Sequence, residues 1–141
     1  FFEEADLIAR DLVRCLDGVD FCLMHDILYQ GWHLVHNIAV RKAQEQLPGV
    51  RFVEFTHSLP LLRPEKMVYP PSARFTGMPN TRFAYPTRCG LPALARQYDI
   101  PESACAVVNN TLVGRPGCAD CGLGKGDPHR LSRTAHPSQA L

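Results

Sequence analysis

Apolar residues along this chain recur at two periods, and the switch between them marks out the elements. Ala5, Ile8, Leu12 and Leu16 fall at three- and four-residue steps, with Glu3 and Glu4 in the opening turn and Gly18 placed to stop it. That spacing predicts a helix over 3–17. The run VDFCLM, residues 19–24, shows no alternation and predicts a strand buried on both faces. A second helix is predicted from Gly31 to Leu47, where Leu34, Val35, Ile38, Ala39 and Ala43 form a broad apolar arc that Pro48-Gly49 ends. RFVEFT (51–56), TRFAYP (81–86) and CAVV (105–108) read as further strands, and Leu91 to Asp99 as a short helix with Pro92 in its first turn. Between strands, residues 58–80 hold Pro60, Pro64, Pro70, Pro71 and Pro79, which predicts a loop. Long loops inside compact domains are more often functional than idle.

Helix, strand, helix, strand, loop, strand, helix, strand predicts an α/β fold. The expected form is a partial Rossmann-like domain with a mostly parallel sheet and helices on both faces. In such sheets ligands bind at the carboxyl ends of the strands, where loops converge. Those ends read His25-Asp26, His57-Ser58, Thr87-Arg88 and Asn109-Asn110, and every one is polar. The expected domain spans 1–113. Beyond it the last 28 residues contain no Ile, Val, Phe, Tyr, Trp or Met and hold five glycines and three prolines. Such a segment cannot bury enough apolar surface to offset its ordering entropy, so 114–141 is expected to be an irregular, disordered tail or a foreign extension. GLGKGD in this tail lacks the spacing and preceding strand of a phosphate loop, and reads as a coincidence of composition.

Composition narrows the function classes. The 141 residues carry a net charge of +1 without a basic stripe, which argues against nucleic acid as a partner. No apolar run reaches the roughly 18 residues needed to span a bilayer. The opening FFEEAD carries acid where a signal peptide carries base, and the placement of the cysteines favours a reducing, cytoplasmic setting. Starting on Phe-Phe without Met, it reads as a piece of something longer. Of six cysteines, Cys15, Cys22 and Cys105 fall in helical or strand patterns, where Cys behaves as a small hydrophobe. Cys118 and Cys121 form a lone Cys-x-x-Cys, and His129 and His136 follow too far apart for a zinc site. A redox motif would need a strand before the pair and a helix after it. Neither a metal nor a cofactor is expected.

The segments VDFCLMHD, FVEFTHS and CAVVNNT, in that order and spacing, resemble the N-terminal, acceptor-side domain of GT-B glycosyltransferases of the retaining group that uses nucleotide-sugar donors. A strand closing on a histidine-bearing tip is similar to VDFCLMHD. A Thr-His strand end is matched by Thr56-His57, and an exit segment like VVPNGVD by VVNNTLV. The resemblance covers residues 1–113. Asn110 matches the family's Asn, whereas Thr111 stands for Gly and Val113 for Asp. The family's first strand would precede Phe1 and its donor-binding domain would follow residue 113, so the resemblance implies a fragment. It implies a nucleotide-sugar donor, a hydroxyl-bearing acceptor, transfer with retention in the full-length parent, and an inactive isolated chain. Such enzymes do not typically depend on a bound metal.

The resemblance gives His57 the catalytic role, facing the sugar donor across the interdomain cleft. An imidazole at a strand end can bond sugar hydroxyls and stabilise developing charge, or it can merely cap the strand. Substrate-binding candidates are His25, Asp26, Ser58, Arg88 and Asn110. Asp26 has a general base or a turn cap as its alternatives. Arg88 and Asn110 can contact anions or hydroxyls, although a surface Arg and a turn Asn are commoner fates. His33 and His36 have metal-ligand spacing but no evident further ligand. Trp32 and Tyr29 either stack on a sugar or anchor the helix to the sheet. Asn109-Asn110-Thr111 spells a glycosylation acceptor that matters only in a secreted chain. Beside the transferase fragment stands a reading from another class, a non-catalytic Rossmann-like binding or interaction module.

Overall fold

A computed structural model describes residues 1–109. Asn110, the expected tail 114–141 and the Cys118–Cys121 pair lie outside the described residues. Element order is α1 (Phe2–Leu16), β1 (Phe21–His25), α2 (Leu34–Gln46), β2 (Arg51–Phe55), β3 (Thr81–Tyr85), α3 (Leu91–Tyr98) and β4 (Cys105–Val107), with short 3-10 turns between. The sheet is parallel throughout, in the order β1-β2-β3-β4. The α/β class and the parallel sheet therefore match the alternation in the sequence.

Local hydrogen bonding sets the boundaries. Strand β1 begins at Phe21 rather than Val19 because the Val19 N–H donates to Leu16 O at 3.1 Å, closing the end of α1. Helix α2 begins at Leu34 rather than Gly31. The preceding residues are held in a turn in which Asp26 O accepts from both Tyr29 N (3.2 Å) and Gln30 N (3.0 Å). The proline-rich loop after β2 is packed, with a 3-10 helix over Pro71–Phe75 that buries Ala73 and Phe75. Helix α3 ends at Asp99 in the left-handed conformation, φ 55°, with the Ile100 N–H returned to Ala95 O.

Side chains alternate along each strand, so register assigns them to faces. Met24, Phe52, Phe83 and Tyr85 share one face with Glu54. Against it pack Val40 and Ala43 of α2, Leu47 just after it, and Leu94 and Tyr98 of α3, while Leu12, Val13 and Leu16 of α1 close the edge. Fully burying a side chain of this kind contributes roughly 1.5–3 kcal/mol, so this layer carries most of the stability. Every strand-to-strand step runs in the same direction across the sheet, and right-handed crossovers then place all connections on one side. The helices accordingly gather on one face rather than on both. This corrects the expectation for β1 as well: it is an edge strand buried on one face, and Phe21 and Leu23 on the other are each 59% exposed.

Candidate functional site

At the carboxyl ends of β1 and β2 two imidazoles meet. His25 Nδ1 and His57 Nε2 lie 2.7 Å apart. The ring planes are 14° apart and the centroids 5.0 Å, the geometry of two rings joined edge to edge by an in-plane N–H···N bond. One nitrogen must donate and the other accept, so a single proton lies between the rings. The outer nitrogens, His25 Nε2 and His57 Nδ1, are left for other partners. Phe55 is the floor of the pair, with its ring 4.0 Å from His57 and 5.7 Å from His25, centroid to centroid. Both histidines are exposed while Phe55 beneath them is buried. Two polar rims on an apolar floor suit a ligand that has hydroxyls at its edges.

Asp26 straps the two strand ends together. Its N–H donates to Phe55 O at 3.1 Å, which prolongs the ladder by one rung before the chain turns at φ 55°. Asp is one of the few residues that accept this left-handed conformation. The carboxylate then reaches across: Oδ1 accepts from His57 N at 2.9 Å and Oδ2 from Ser58 Oγ at 3.4 Å. Gln30 Nε2 approaches Ser58 Oγ at 3.5 Å. These contacts make Asp26 a positioning residue that fixes His57 and Ser58.

Beneath the strap lies a buried polar group that pattern reading missed. Glu54 is fully buried, pointing from β2 to the helix side. Its Oε1 accepts from Leu28 N at 3.1 Å, and Oε2 has no partner among the described residues. Burial pushes the carboxyl up to about 8, the Leu28 N–H opposes that rise, nearby Asp26 adds to it and Arg41 reduces it. The same turn is held from its other side by Asn37, whose Nδ2 donates to Leu28 O at 2.9 Å. Arg41 Nε donates to Asn37 Oδ1 at 2.8 Å, and its other nitrogens donate to the carbonyls of Ala73, Thr76 and Gly77. A chain of hydrogen bonds thus runs from the packed loop through α2 to the turn that carries Asp26. The signal in the sequence was a glutamate between Val53 and Phe55 in the strand RFVEF.

The remaining candidates are placed as follows. Arg88 is exposed in the turn before α3 and makes no hydrogen bond to His25, Asp26, His57 or Ser58 among the described residues. Asn109 is exposed at the end of β4, and Asn110 lies outside the described residues. His33 and His36 pack edge to face, centroids 5.7 Å apart, and no third potential metal ligand joins them among the described residues. Tyr29 is an anchor: its hydroxyl donates to Leu59 O at 2.9 Å, and Arg74 Nε donates to its carbonyl at 2.7 Å. Trp32 is 76% exposed and free to stack on a ligand. Cys22 and Cys105 are half-buried free thiols whose pKa burial pushes up, as inert cysteines behave.

No helix among the described residues is long and apolar enough to cross a membrane. Comparison with family models, curated proteins and solved structures gives no match.

Proposed function

We propose that this chain is the acceptor-side half of a cytoplasmic glycosyltransferase that moves a sugar from a nucleotide-sugar donor to a hydroxyl-bearing acceptor with retention of configuration. The observation that carries the reading is the His25–His57 pair with Ser58 at adjoining strand ends. In transfer, the bond from the anomeric carbon to the diphosphate oxygen breaks with its electron pair leaving on the diphosphate, and a bond to the acceptor oxygen forms on the same face. The acceptor's hydroxyl proton passes to the departing diphosphate, and positive charge develops transiently on the sugar ring. His57 contacts the donor sugar through its outer nitrogen and stabilises that charge, its ring held in place by the hydrogen bond to His25. His25 and Ser58 bond sugar or acceptor hydroxyls, and Asp26 keeps both loops in place. Arg88, in the exposed turn after β3, contacts the anionic leaving group, and Asn110, outside the described residues, keeps its proposed role of contacting substrate. The diphosphate is held by a domain beyond this one, so the chain alone binds donor weakly.

The test is a titration of the chain with nucleotide sugars and the matching free nucleotides, read by backbone amide shifts. The expected dissociation constants for the sugar-bearing forms are about 1 mM, roughly −4 kcal/mol, with shifts centred on residues 25–26 and 57–58. No preference for the sugar-bearing forms, or shifts centred elsewhere, would favour a non-catalytic binding module.

A further inference from the structure

The face of the sheet that the helices leave open has its own chemistry. Register puts Phe21 and Leu23 of β1 on it, beside Arg51 and Val53 of β2, with Arg82 of β3 and Ala106 of β4 beyond. Phe21 and Leu23 are neighbours on one strand and stand well out into solvent, and Val53 beside them is half-buried. Parallel sheets are stable with both faces covered, so an apolar row left open is the footprint of something that covers it. The row is edged with positive charge. The Arg51 guanidinium lies over the Phe21 ring, 5.3 Å from its centroid, and Arg82 Nη1 donates to Ser103 O at 2.7 Å. Neither arginine forms an ion pair among the described residues. A groove of about 420 Å³ runs between them over Val53, near the amino ends of the strands and away from His25 and His57.

We propose that this face docks an amphipathic α-helix of a partner protein whose apolar stripe is edged by glutamate or aspartate. A helix fits because one turn after another can lay aliphatic side chains along the Phe21–Leu23 row and into the groove. Carboxylates fit because two guanidiniums without an ion pair among the described residues, on β2 and β3, line the inner side of the row, and none of the face residues named above is acidic. A second copy of the chain fits worse, since an isologous pairing of this face would gather four guanidiniums without a counter-charge. The inference does not depend on the sugar-transfer reading, because it uses none of that site's residues and the groove lies at the opposite end of the strands, although His25 follows Leu23 on the same face.

The experiment uses the full chain and two synthetic helical peptides that share one leucine stripe, one edged by glutamate and the other by lysine. The glutamate peptide is expected to bind about tenfold tighter, the result of two surface charge pairs being attractive in one case and repulsive in the other. Shifts should map to Phe21, Leu23 and Val53. The Arg51→Glu/Arg82→Glu variant should invert the preference, and Leu23→Asp should abolish binding of both peptides with an unchanged melting temperature. Equal affinity for the two peptides, or binding of neither, overturns the proposal. So does sedimentation showing that the chain self-associates through this face, or the same set of shifts produced by anionic phospholipid vesicles.

Discussion

Replacing Glu54 by glutamine tests how the platform under the site is held. The folded-state pKa of about 8 lies above the ordinary 4.5, so the folded chain binds a proton that the unfolded chain releases anywhere between those values. Stability must then fall as pH rises through that window, because ionising Glu54 leaves a buried charge with Oε2 unpartnered. At 1.36 kcal/mol per pH unit, the loss between pH 5 and pH 8 is roughly 4 kcal/mol, a large share of the 5–15 kcal/mol that holds a domain together. Glu54→Gln keeps an oxygen for Leu28 N, is neutral at every pH, and leaves its amide nitrogen as unpartnered as the protonated oxygen was. Urea unfolding of both proteins at a series of pH values is the assay. The variant should match the parent near pH 5 and exceed it by several kcal/mol at pH 8, while slopes due to all other groups cancel in the difference. Parallel curves would show that Glu54 is solvated in the folded chain, and the buried-carboxyl account would fall.

Arg41→Ala should cost roughly 3 kcal/mol or more, since it removes charge-assisted bonds to Asn37 and to the carbonyls of Ala73, Thr76 and Gly77. Amide exchange should rise across 71–77 and reach the Tyr29 and Gln30 amides; a rise confined to α2 would contradict the linkage. On the proposed reading, in which another domain holds the leaving group, the isolated chain should give no detectable sugar transfer with any nucleotide sugar. Robust turnover by purified chain would show that the active site lies outside the residues named here. Asp26→Ala should lower stability by roughly 2 kcal/mol and displace the His57 and Ser58 amides, the partners of its carboxylate. Unmoved His57 and Ser58 resonances would mean that the strap is not formed in solution.

The four strands, their parallel pairing and the polar strand ends were legible in the sequence because the elements are short and sharply punctuated. Pro48-Gly49 and the change from helical spacing to RFVEFT left little room for another assignment. The openness of the second face was not legible. VDFCLM is apolar at successive positions whether or not anything covers Phe21 and Leu23, and only the single-direction strand order reveals that the helices fall on one side. The meeting of His25 and His57 followed from two strand ends lying side by side, yet their 2.7 Å contact depends on the rung that Asp26 adds, which requires a left-handed aspartate. Glu54, Asn37 and Arg41 were missed because their importance lies in partners far along the chain, and periodicity carries no information about pairing across 26 or 36 residues.

Whether His57 contacts a sugar is measured most directly by titrating His57→Ala beside the unaltered chain with one nucleotide sugar and its free nucleotide. His57 is exposed, and losing its bond to His25 costs about 1 kcal/mol or less, so the variant should melt within a few degrees of the parent. If His57 makes that contact, the extra affinity for the sugar-bearing form disappears in this folded variant, together with the Ser58 amide shift. Undiminished preference for the sugar-bearing form in a folded His57→Ala chain would contradict it.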